Sequence, residues 1–572
     1  MSGVTREQVA PRPVSCVSLN DVEVVAGFSS LESLLRRGLG GGGGGGSAVS
    51  SETGLLTVAA SSERLLAALP APRPPLALLT AAVRHQTDVW KDGGLAAGAL
   101  LAGLLARLLR VTGPRHRVRA ALREVAAECR RLAAAQQLRL QLEVPQLLAV
   151  VDTVLRSKRL LPLTAGERRH LSLQLLRAFL LVVPVEPVGD RAALGHVHVQ
   201  LVPSGEPLDS APVSALLVPE PALDDYPPAQ GRGQRRCLLF TPHLGEQGEE
   251  ALDGMEVSLS AEMSTRPLSA DRWQTALMRL PLRSGDVIAC QRTVPVSLRR
   301  ALAGRGVTVL ERLGSRGASL LTRLSGARPL AGVSLLAGVA VELSAEDGGP
   351  VELVGRLDAV VVRTLGGRPH AELRRADSPV VTLLVHCAHP EPLRDELERQ
   401  LESALFALCC LLGEPTVVPG GGCLEVVLLG QLAQLAAGQD RVARAVTDAL
   451  RDTLRQNALA IAGSPVLYRD DTYGHGWRTE LEASSAADHS CLCGLVSGAD
   501  LRGRLRFSEL TPSYLCEGTA GPPTAAPAPL DPAEISEDCL IDCGRVRLGG
   551  MASALEACHA ILGIGTCVIE KT

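Results

Sequence analysis

The sequence predicts a mixed α and α/β protein, with helical regions towards both ends of the chain and an α/β module between them. Apolar residues recur at helical spacing in 101–109, 391–412 and 548–562. Between 286 and 325 the pattern instead alternates short apolar runs with amphipathic segments, as in a β-α-β-α unit. These two observations together indicate a helical body interrupted by an α/β insertion.

Each helical region carries its own apolar stripe. The first stripe consists of Leu101, Leu104, Leu105, Leu108 and Leu109. The second consists of Leu393, Leu397, Leu401, Leu405, Leu408 and Leu412. The third consists of Leu548, Met551, Leu555, Cys558 and Leu562. The uncharged run 93–106 is too short and too glycine-rich to span a bilayer, so we expect it to form a buried core helix.

The α/β module is visible as four consecutive segments. Residues 286–290 (DVIAC) and 307–311 (VTVLE) are typical of buried strands, and 296–304 (VSLRRALAG) is typical of a short helix. A further helix of about ten residues is expected near 315–325.

Composition narrows the class of protein. A chain of 572 residues is long enough for about three or four domains. With 46% hydrophobic and 21% charged residues it is expected to be globular. The net charge of −3 and the pI near 6.5 indicate no excess of positive charge that could attract nucleic acid or an anionic membrane. We therefore expect no nucleic-acid partner and no membrane insertion.

The fifteen cysteines show no framework spacing, and the N-terminus has no apolar signal region. We therefore expect a cytoplasmic protein with reduced thiols. Three of them, Cys409, Cys410 and Cys558, lie on or beside helix stripes and are expected to be buried.

Three low-complexity segments interrupt these patterns: the glycines Gly40–Gly46 followed by Ser47, residues 221–235, and residues 519–534. We expect all three to be loops. Flexible inserts near both chain ends would weaken regular subunit packing, so a stable homomeric double ring is not expected.

Several segments resemble, in the same order, the group II (TCP-1-like) chaperonin family. They are residues 75–106 around WKDGG, 204–218 (SGEPLDSAPVSALLV), 285–333, 396–425 with ELERQLESAL and PGGGCLE, and 451–458 (RDTLRQNA). Residues 163–184, the PGGGCLE loop and the terminal CVIEKT narrow the resemblance to the McKusick–Kaufman/Bardet–Biedl group of chaperonin-like proteins.

The resemblance implies a group II chaperonin subunit fold with a helical equatorial domain, an intermediate domain and an α/β apical domain. The implied boundaries are equatorial 1–155 and 404–572, intermediate 156–212 and 366–403, and apical 213–365.

The resemblance also implies a degenerate ATP site. Asp92, the aligned magnesium ligand, and Gly93 are present, but Lys91 replaces the family's first glycine, and Gly94 and Leu95 replace its two threonines. The glycine loop Gly420, Gly421 and Gly422 is retained. The family's first phosphate loop aligns near 29–37 and is missing.

The aligned position of the catalytic aspartate is Ser403, and residues 563–566 (GIGT) replace the family's late Arg-Ile-Asp-Asp. A neutral hydroxyl cannot do the work of a carboxylate, and none of the three lysines belongs to a G-K-[ST] sequence. We expect no catalytic residue, no required cofactor, and residual binding of ATP with Mg²⁺ through Asp92.

Structural interpretations remain open for these residues. Residues 92–94 are also typical of a turn with a helix cap, Gly420–Gly422 of a flexible connection, and Ser403 of a small packing residue. A second cluster, His475, His489, Cys491 and Cys493, has a spacing outside the common zinc patterns, so we interpret it as a polar loop.

The resemblance implies a binding protein that assists assembly of the ciliary BBSome at the centrosome or ciliary base. Its implied partners are cytosolic chaperonin subunits, related chaperonin-like proteins and BBSome subunits as clients. Two alternatives stay open: an ATP-dependent cytosolic folding chaperone, which Asp92 and the glycine loop favour, and a helical scaffold unrelated to chaperonins.

Overall fold

The structure is a computed structural model of the 572-residue chain. The residues it describes are 14–40, 47–50, 56–69, 74–157, 162–184, 194–220, 233–244, 270–344, 353–436, 438–479, 489–501, 507–511, 530 and 535–570. They divide into two compact units. Unit 1 combines Met1–Ser172 with Pro390–Thr572, and unit 2 is Leu173–His389.

The described α-helices are α1 Val22–Arg37, α2 Ser62–Ala68, α3 Pro74–Trp90, α4 Gly94–Leu108, α5 Arg115–Ala134, α6 Val144–Arg156, α7 Ala165–Val182, α8 Ala270–Met278, α9 Val296–Ala303, α10 Gly314–Ser325, α11 Leu336–Ser344, α12 Glu391–Gly413, α13 Cys423–Ala436, α14 Arg441–Ala462 and α15 Gly544–Ile561.

The described strands are β1 Val14–Ser18, β2 Ser47–Ser50, β3 Leu56–Ala59, β4 Leu138–Arg139, β5 His196–Val202, β6 Ala211–Val213, β7 Leu216–Pro219, β8 Arg235–Phe240, β9 Val287–Cys290, β10 Thr308–Leu310, β11 Pro329–Leu330, β12 Gly355–Leu357, β13 Ala359–Leu365, β14 Arg368–Arg374, β15 Val380–His386, β16 Thr416–Pro419, β17 Tyr468–Asp470, β18 Gly476–Trp477, β19 Phe507–Glu509, β20 Ile541–Cys543 and β21 Thr566–Glu570.

Unit 1 is a helical body with small sheets at its margins. Helices α1, α3, α4, α5, α13, α14 and α15 share one hydrophobic core. The centre of that core is α4, whose residues Leu100–Ala106 are all buried, as expected for a helix that is apolar around its whole circumference. The prediction of a buried core helix at 93–106 is confirmed.

Strand pairs join the sequence-distant halves of unit 1. Strand β1 pairs antiparallel with β21, and β16 pairs with both β20 and β4. A third sheet has the strand order β18-β17-β19. The polypeptide segments on either side of unit 2 therefore form one hydrogen-bonded body.

Unit 2 contains the α/β module. Strands β10, β9, β8 and β11 pair in that order in parallel, and β12 pairs antiparallel with β8. Two three-stranded sheets, β13-β14-β7 and β5-β15-β6, complete the described strands of this unit. Apolar side chains fill the two faces of the parallel sheet, because each strand between two helical layers is buried on both sides.

The helix and strand predictions are largely confirmed. Helices α4, α12 and α15 lie on the three apolar stripes, and β9, α9, β10 and α10 follow the predicted β-α-β-α order. The three predicted loops fall mostly outside the described residues. The loop prediction was wrong for two boundary residues, because β2 begins at Ser47 and β8 begins at Arg235.

One thiol prediction was wrong. Cys410 and Cys558 are buried, but Cys409 is exposed. Cys409 follows Leu408 directly, and one helical residue turns the side chain by about 100° away from the buried stripe. Among the described helices, none is long and apolar enough to cross a membrane.

Candidate functional site

The candidate site is a cavity of about 540 Å³ inside unit 1. Its walls come from the α3–α4 turn, the first turn of α4, the middle of α12, the glycine turn before α13, and β20. Asp92, Gly93, Gly94, Ser403, Gly421 and Gly422 all line it. The structure thus brings together residues that are more than 300 positions apart in the sequence.

The amino terminus of α4 opens into this cavity. Gly93 is the N-cap residue, with φ +77°, and no side chain caps the helix. Gly94, Leu95 and Ala96 form the first turn and line the cavity. The backbone N–H groups of a first helical turn have no partner within the helix, so this end can hold an anion such as a phosphate.

Gly94 is required by close packing. A Cβ atom at this position would lie 2.2 Å from Oγ of Ser62 and 2.5 Å from Cγ2 of Thr87. No threonine fits here without displacing its neighbours. The loss of a threonine at Gly94 is therefore coupled to the packing of α2 and α3 against α4.

The hydroxyl of Ser403 is committed to backbone contacts. Ser403 is 4% exposed, and its Oγ lies 2.8 Å from the carbonyl oxygens of both Lys91 and Arg399. The hydroxyl has one proton, so it donates to one carbonyl at a time. Ser403 thereby fastens α12 to the α3–α4 turn, which fits its interpretation as a packing residue.

Sequence reasoning missed a second carboxylate in the cavity, Asp542 on β20. Burial raises the pKa of its carboxyl to about 7, and the negative charge of Asp92 raises it further in the same direction. Two carboxylates that line one cavity can supply oxygen ligands to a cation. Asp92 and Asp542 therefore fit a Mg²⁺ ion carried by a nucleotide.

The neighbouring Arg547 on α15 forms ion pairs with both Glu425 and Asp542. Its guanidinium bonds to buried Glu425, while its Nε lies 3.8 Å from Oδ2 of Asp542. Burial lowers the pKa of Arg547 to about 10, partly offset by the charge of Asp92. The short ion pair to Glu425 holds Arg547 at the cavity wall.

The glycine loop forms a turn with two residues in the left-handed region. Gly421 and Gly422 have φ +63° and +96°, where glycine is favoured. Gly420 is not among the lining residues. Its N–H donates to the carbonyl of Leu540 at 2.9 Å, and a Cβ there would lie 2.8 Å from the same oxygen. Gly420 therefore has a packing role in this turn, and its predicted role in nucleotide binding stays a prediction.

A second missed element is the segment Gly38–Gly40, which also lines the cavity. The residues aligned with the missing phosphate loop, 29–37, lie within α1, and the chain reaches the cavity directly after that helix. The sequence analysis did not identify this segment as part of the site, because the glycine tract 40–46 is typical of a linker.

The interpretation of the His/Cys cluster as a polar loop was wrong for three of its four residues. His475, Cys491 and Cys493 are buried and lie beside Cys423 at the start of α13. His489 is exposed and stands apart from them. Sequence spacing missed the cluster because Cys423 is more than fifty residues from its neighbours.

The fold and the cavity define a chaperonin subunit of mixed α and α/β architecture. The TCP-1/cpn60 chaperonin family matches residues 32–464, so the chain belongs to that family. The chain is 24% identical to "Molecular chaperone MKKS" of Mus musculus and 22% identical to that of Homo sapiens, over 89% of this chain and 90% of each relative. It is also 27% identical to "Thermosome subunit 3" of Haloferax volcanii, over 30% of each chain. This protein is therefore chaperonin-like.

Proposed function

We propose that this protein is a chaperonin-like binding and assembly factor that does not hydrolyse ATP efficiently. The main support for this proposal is Ser403, which stands at the aligned catalytic position. Its hydroxyl contacts the backbone carbonyls of Lys91 and Arg399. In phosphoryl transfer, a carboxylate that positions the attacking water contributes about a hundredfold or more to the rate.

Nucleotide binding is supported separately from hydrolysis. The first turn of α4 offers unpaired N–H groups to a phosphate, and Asp92 and Asp542 offer oxygen ligands to Mg²⁺. Bound Mg-nucleotide would act here as a structural ligand, and its stabilisation of unit 1 would grow with the logarithm of the ratio of free nucleotide concentration to Kd.

For its partners, we propose cytosolic chaperonin subunits and related chaperonin-like proteins, with BBSome subunits as clients, in the cytoplasm at the centrosome or ciliary base. The support is the family resemblance and the similarity to relatives named molecular chaperones. Unit 2 also presents apolar side chains that a client could cover. Val341 on α11 is 72% exposed, and Leu335 before α11 is 40% exposed.

The partner proposal is tested by affinity purification from ciliated cells, followed by mass spectrometry. We expect chaperonin and BBSome subunits with the wild-type protein, and fewer client peptides with Val341→Glu. Val22→Glu is the matched control, because Val22 is 81% exposed in unit 1. Recovery of none of these subunits with the wild-type protein would contradict the proposal.

The ATPase proposal is tested by steady-state phosphate release and by calorimetric titration with Mg-ADP. We expect release at background for the wild-type protein and for Ser403→Asp, because Gly94 and Leu95 also lack the family's hydroxyls. Asp92→Ala should weaken Mg-ADP binding, while Glu124→Ala, at an exposed residue of α5 that does not line the cavity, serves as the control.

The alternative function is an ATP-dependent folding chaperone, favoured by the retained cavity with its two carboxylates. Substantial wild-type phosphate release that disappears in Asp92→Ala would establish that alternative.

A further inference from the structure

Four potential metal ligands meet behind the wall of the cavity in unit 1. Cys423 is the first residue of α13, His475 follows β17, and Cys491 and Cys493 lie in the segment 489–501. One ligand atom from each residue lies within 4.8 Å of all the others. All four residues are at most 3% exposed.

The distances among the ligand atoms of His475, Cys491 and Cys493 are close to those in a tetrahedral zinc site. Nδ1 of His475 lies 3.4 Å from Sγ of Cys491 and 3.3 Å from Sγ of Cys493, and the two sulfurs are 3.3 Å apart. A zinc ion with ordinary Zn–S and Zn–N bonds separates its ligands by about 3.6 to 3.8 Å. A shift of a few tenths of an ångström therefore admits the ion. No disulfide joins the two sulfurs, since an S–S bond is about 2.05 Å long.

The backbone turn that carries His475 is held in place by hydrogen bonds to one carboxylate. The carboxylate of Asp470, which is fully buried, accepts from the backbone N–H of His475 at 2.9 Å and from Nε1 of Trp477 at 3.0 Å. It also accepts from the N–H groups of Thr472, Tyr473 and Gly474. Five donors on one carboxylate fix the turn that carries His475.

The thiol side of the cluster is fixed in the same way. The N–H of Val496 points at Sγ of Cys491 at 3.3 Å, and the N–H of Gly494, with φ +78°, closes a turn onto the carbonyl of Cys491. Backbone N–H groups directed at sulfur stabilise thiolates, because such bonds to an ionised acceptor are stronger.

We propose that Cys423, His475, Cys491 and Cys493 bind a structural Zn²⁺ ion. Three sulfurs and one imidazole nitrogen are a known structural zinc set, and a closed, buried cage leaves no position for a substrate. On binding, each thiol loses its proton to solvent and the imidazole binds through its neutral nitrogen. The ion clamps α13 to the segment 489–501.

The clamp has a consequence for the cavity wall. The N–H of Leu492 donates to the carbonyl of Gly476 at 2.8 Å, and the carbonyl of Leu492 lies against Gly421, where a Cβ would be 2.8 Å away. Leu492 and Gly421 both line the cavity. Zinc therefore holds the glycine turn in position from behind, whether or not a nucleotide is bound.

The experiment uses the full-length chain, purified without a histidine tag and under reducing conditions. Elemental analysis by plasma mass spectrometry should find about one zinc per chain. Cobalt(II) exchanged into the site should give the visible bands and thiolate charge-transfer absorption of a tetrahedral sulfur-rich site. These readouts on the native chain do not depend on any variant folding.

The variants locate the ion. Cys491→Ser and Cys493→Ser should lose the bound zinc, whereas Cys539→Ser should keep it, because Cys539 is buried beside Gly494 but outside the cage. A wild-type protein without stoichiometric zinc and without cobalt charge transfer would overturn the proposal. So would a disulfide within the cluster under reducing purification, or zinc retained at full occupancy in Cys491→Ser.

Discussion

At the scale of single residues, the α3–α4 turn contains a lysine in a conformation that glycine adopts most easily. Lys91 has φ +55°, a left-handed conformation that costs a residue with a Cβ about 1 kcal/mol relative to glycine. The α3–α4 turn has this conformation although Lys91 stands where the family resemblance places a glycine. The N–H of Lys91 and the hydroxyl of Ser403 both bond within this turn region. Packing, rather than a glycine at position 91, maintains the turn at the cavity-facing end of α4.

The raised pKa of Asp542 predicts a pH-dependent stability. The folded chain holds this proton up to about pH 7, whereas the unfolded chain releases it near 3.8. Between these values the folded state binds more protons, so the free energy of unfolding falls as the pH rises through this window. Asp542→Asn should therefore be more stable than wild type at pH 8 and equally stable near pH 4.

The expected gain for Asp542→Asn at pH 8 is about 1–2 kcal/mol, because one pKa unit corresponds to about 1.4 kcal/mol and solvent screens a carboxyl that is 34% exposed. Urea denaturation at both pH values measures it, with Glu124→Gln, at an exposed residue outside the cavity, as the control. Identical wild-type and Asp542→Asn curves at pH 8 would contradict the assignment.

At the scale of elements, α12 connects the core to the site. Ser403 and Cys410 are seven residues apart, about two turns, so both lie on the buried face of the helix. Cys409 lies on the neighbouring, solvent-facing side. The stripe of leucines predicted the helix correctly, but a stripe describes a face and does not include every adjacent residue.

The orientation of α12 predicts a contrast in thiol reactivity. Under native conditions, N-ethylmaleimide should modify Cys409 at least about tenfold faster than Cys410 or Cys558, because buried thiols react only when the structure opens locally. Site-resolved mass spectrometry of timed samples gives the three rates. Cys409→Ser should remove the fast modification on α12, and equal rates at Cys409 and Cys410 would show that this face of α12 is not protected.

The sequence predicted elements better than it predicted the site. Periodic apolar stripes indicate which residues of one helix share a face, so α4, α12 and α15 could be predicted from spacing alone. Asp542 and Cys423 were not, since their roles depend on which distant segments pack together. Asp92 and Ser403 were found only through the family resemblance. Gly38–Gly40 were hidden by the glycine tract, whose composition is typical of linkers.

At the scale of the whole molecule, the two units differ in how the chain builds them. Unit 2 is one continuous stretch with its own apolar clusters on both faces of the parallel sheet. Unit 1 needs both halves, because α4 packs on α15 and β4 pairs with β16. The stability of unit 1 therefore depends on contacts between residues hundreds of positions apart.

This difference predicts which fragments fold. The fragment 165–389, which keeps α7 whole, should unfold cooperatively in urea and retain helical circular dichroism. The fragment 1–164 lacks β16, α13, α14 and α15, so its apolar helix faces stay uncovered and no cooperative transition is expected. A cooperative transition in 1–164, or its absence in 165–389, would contradict the division into units.

The pairing of β1 with β21 joins nearly the first described residues to the last. During synthesis on the ribosome, unit 2 is complete once His389 has emerged, but the helices before it must wait for 390–572. At about 5–20 residues per second this wait lasts about 10 to 40 seconds. The apolar faces of α1, α3 and α4 lack their packing partners from 390–572 throughout that interval. We therefore expect the nascent chain to leave unit 1 incompletely packed until β21 has been made.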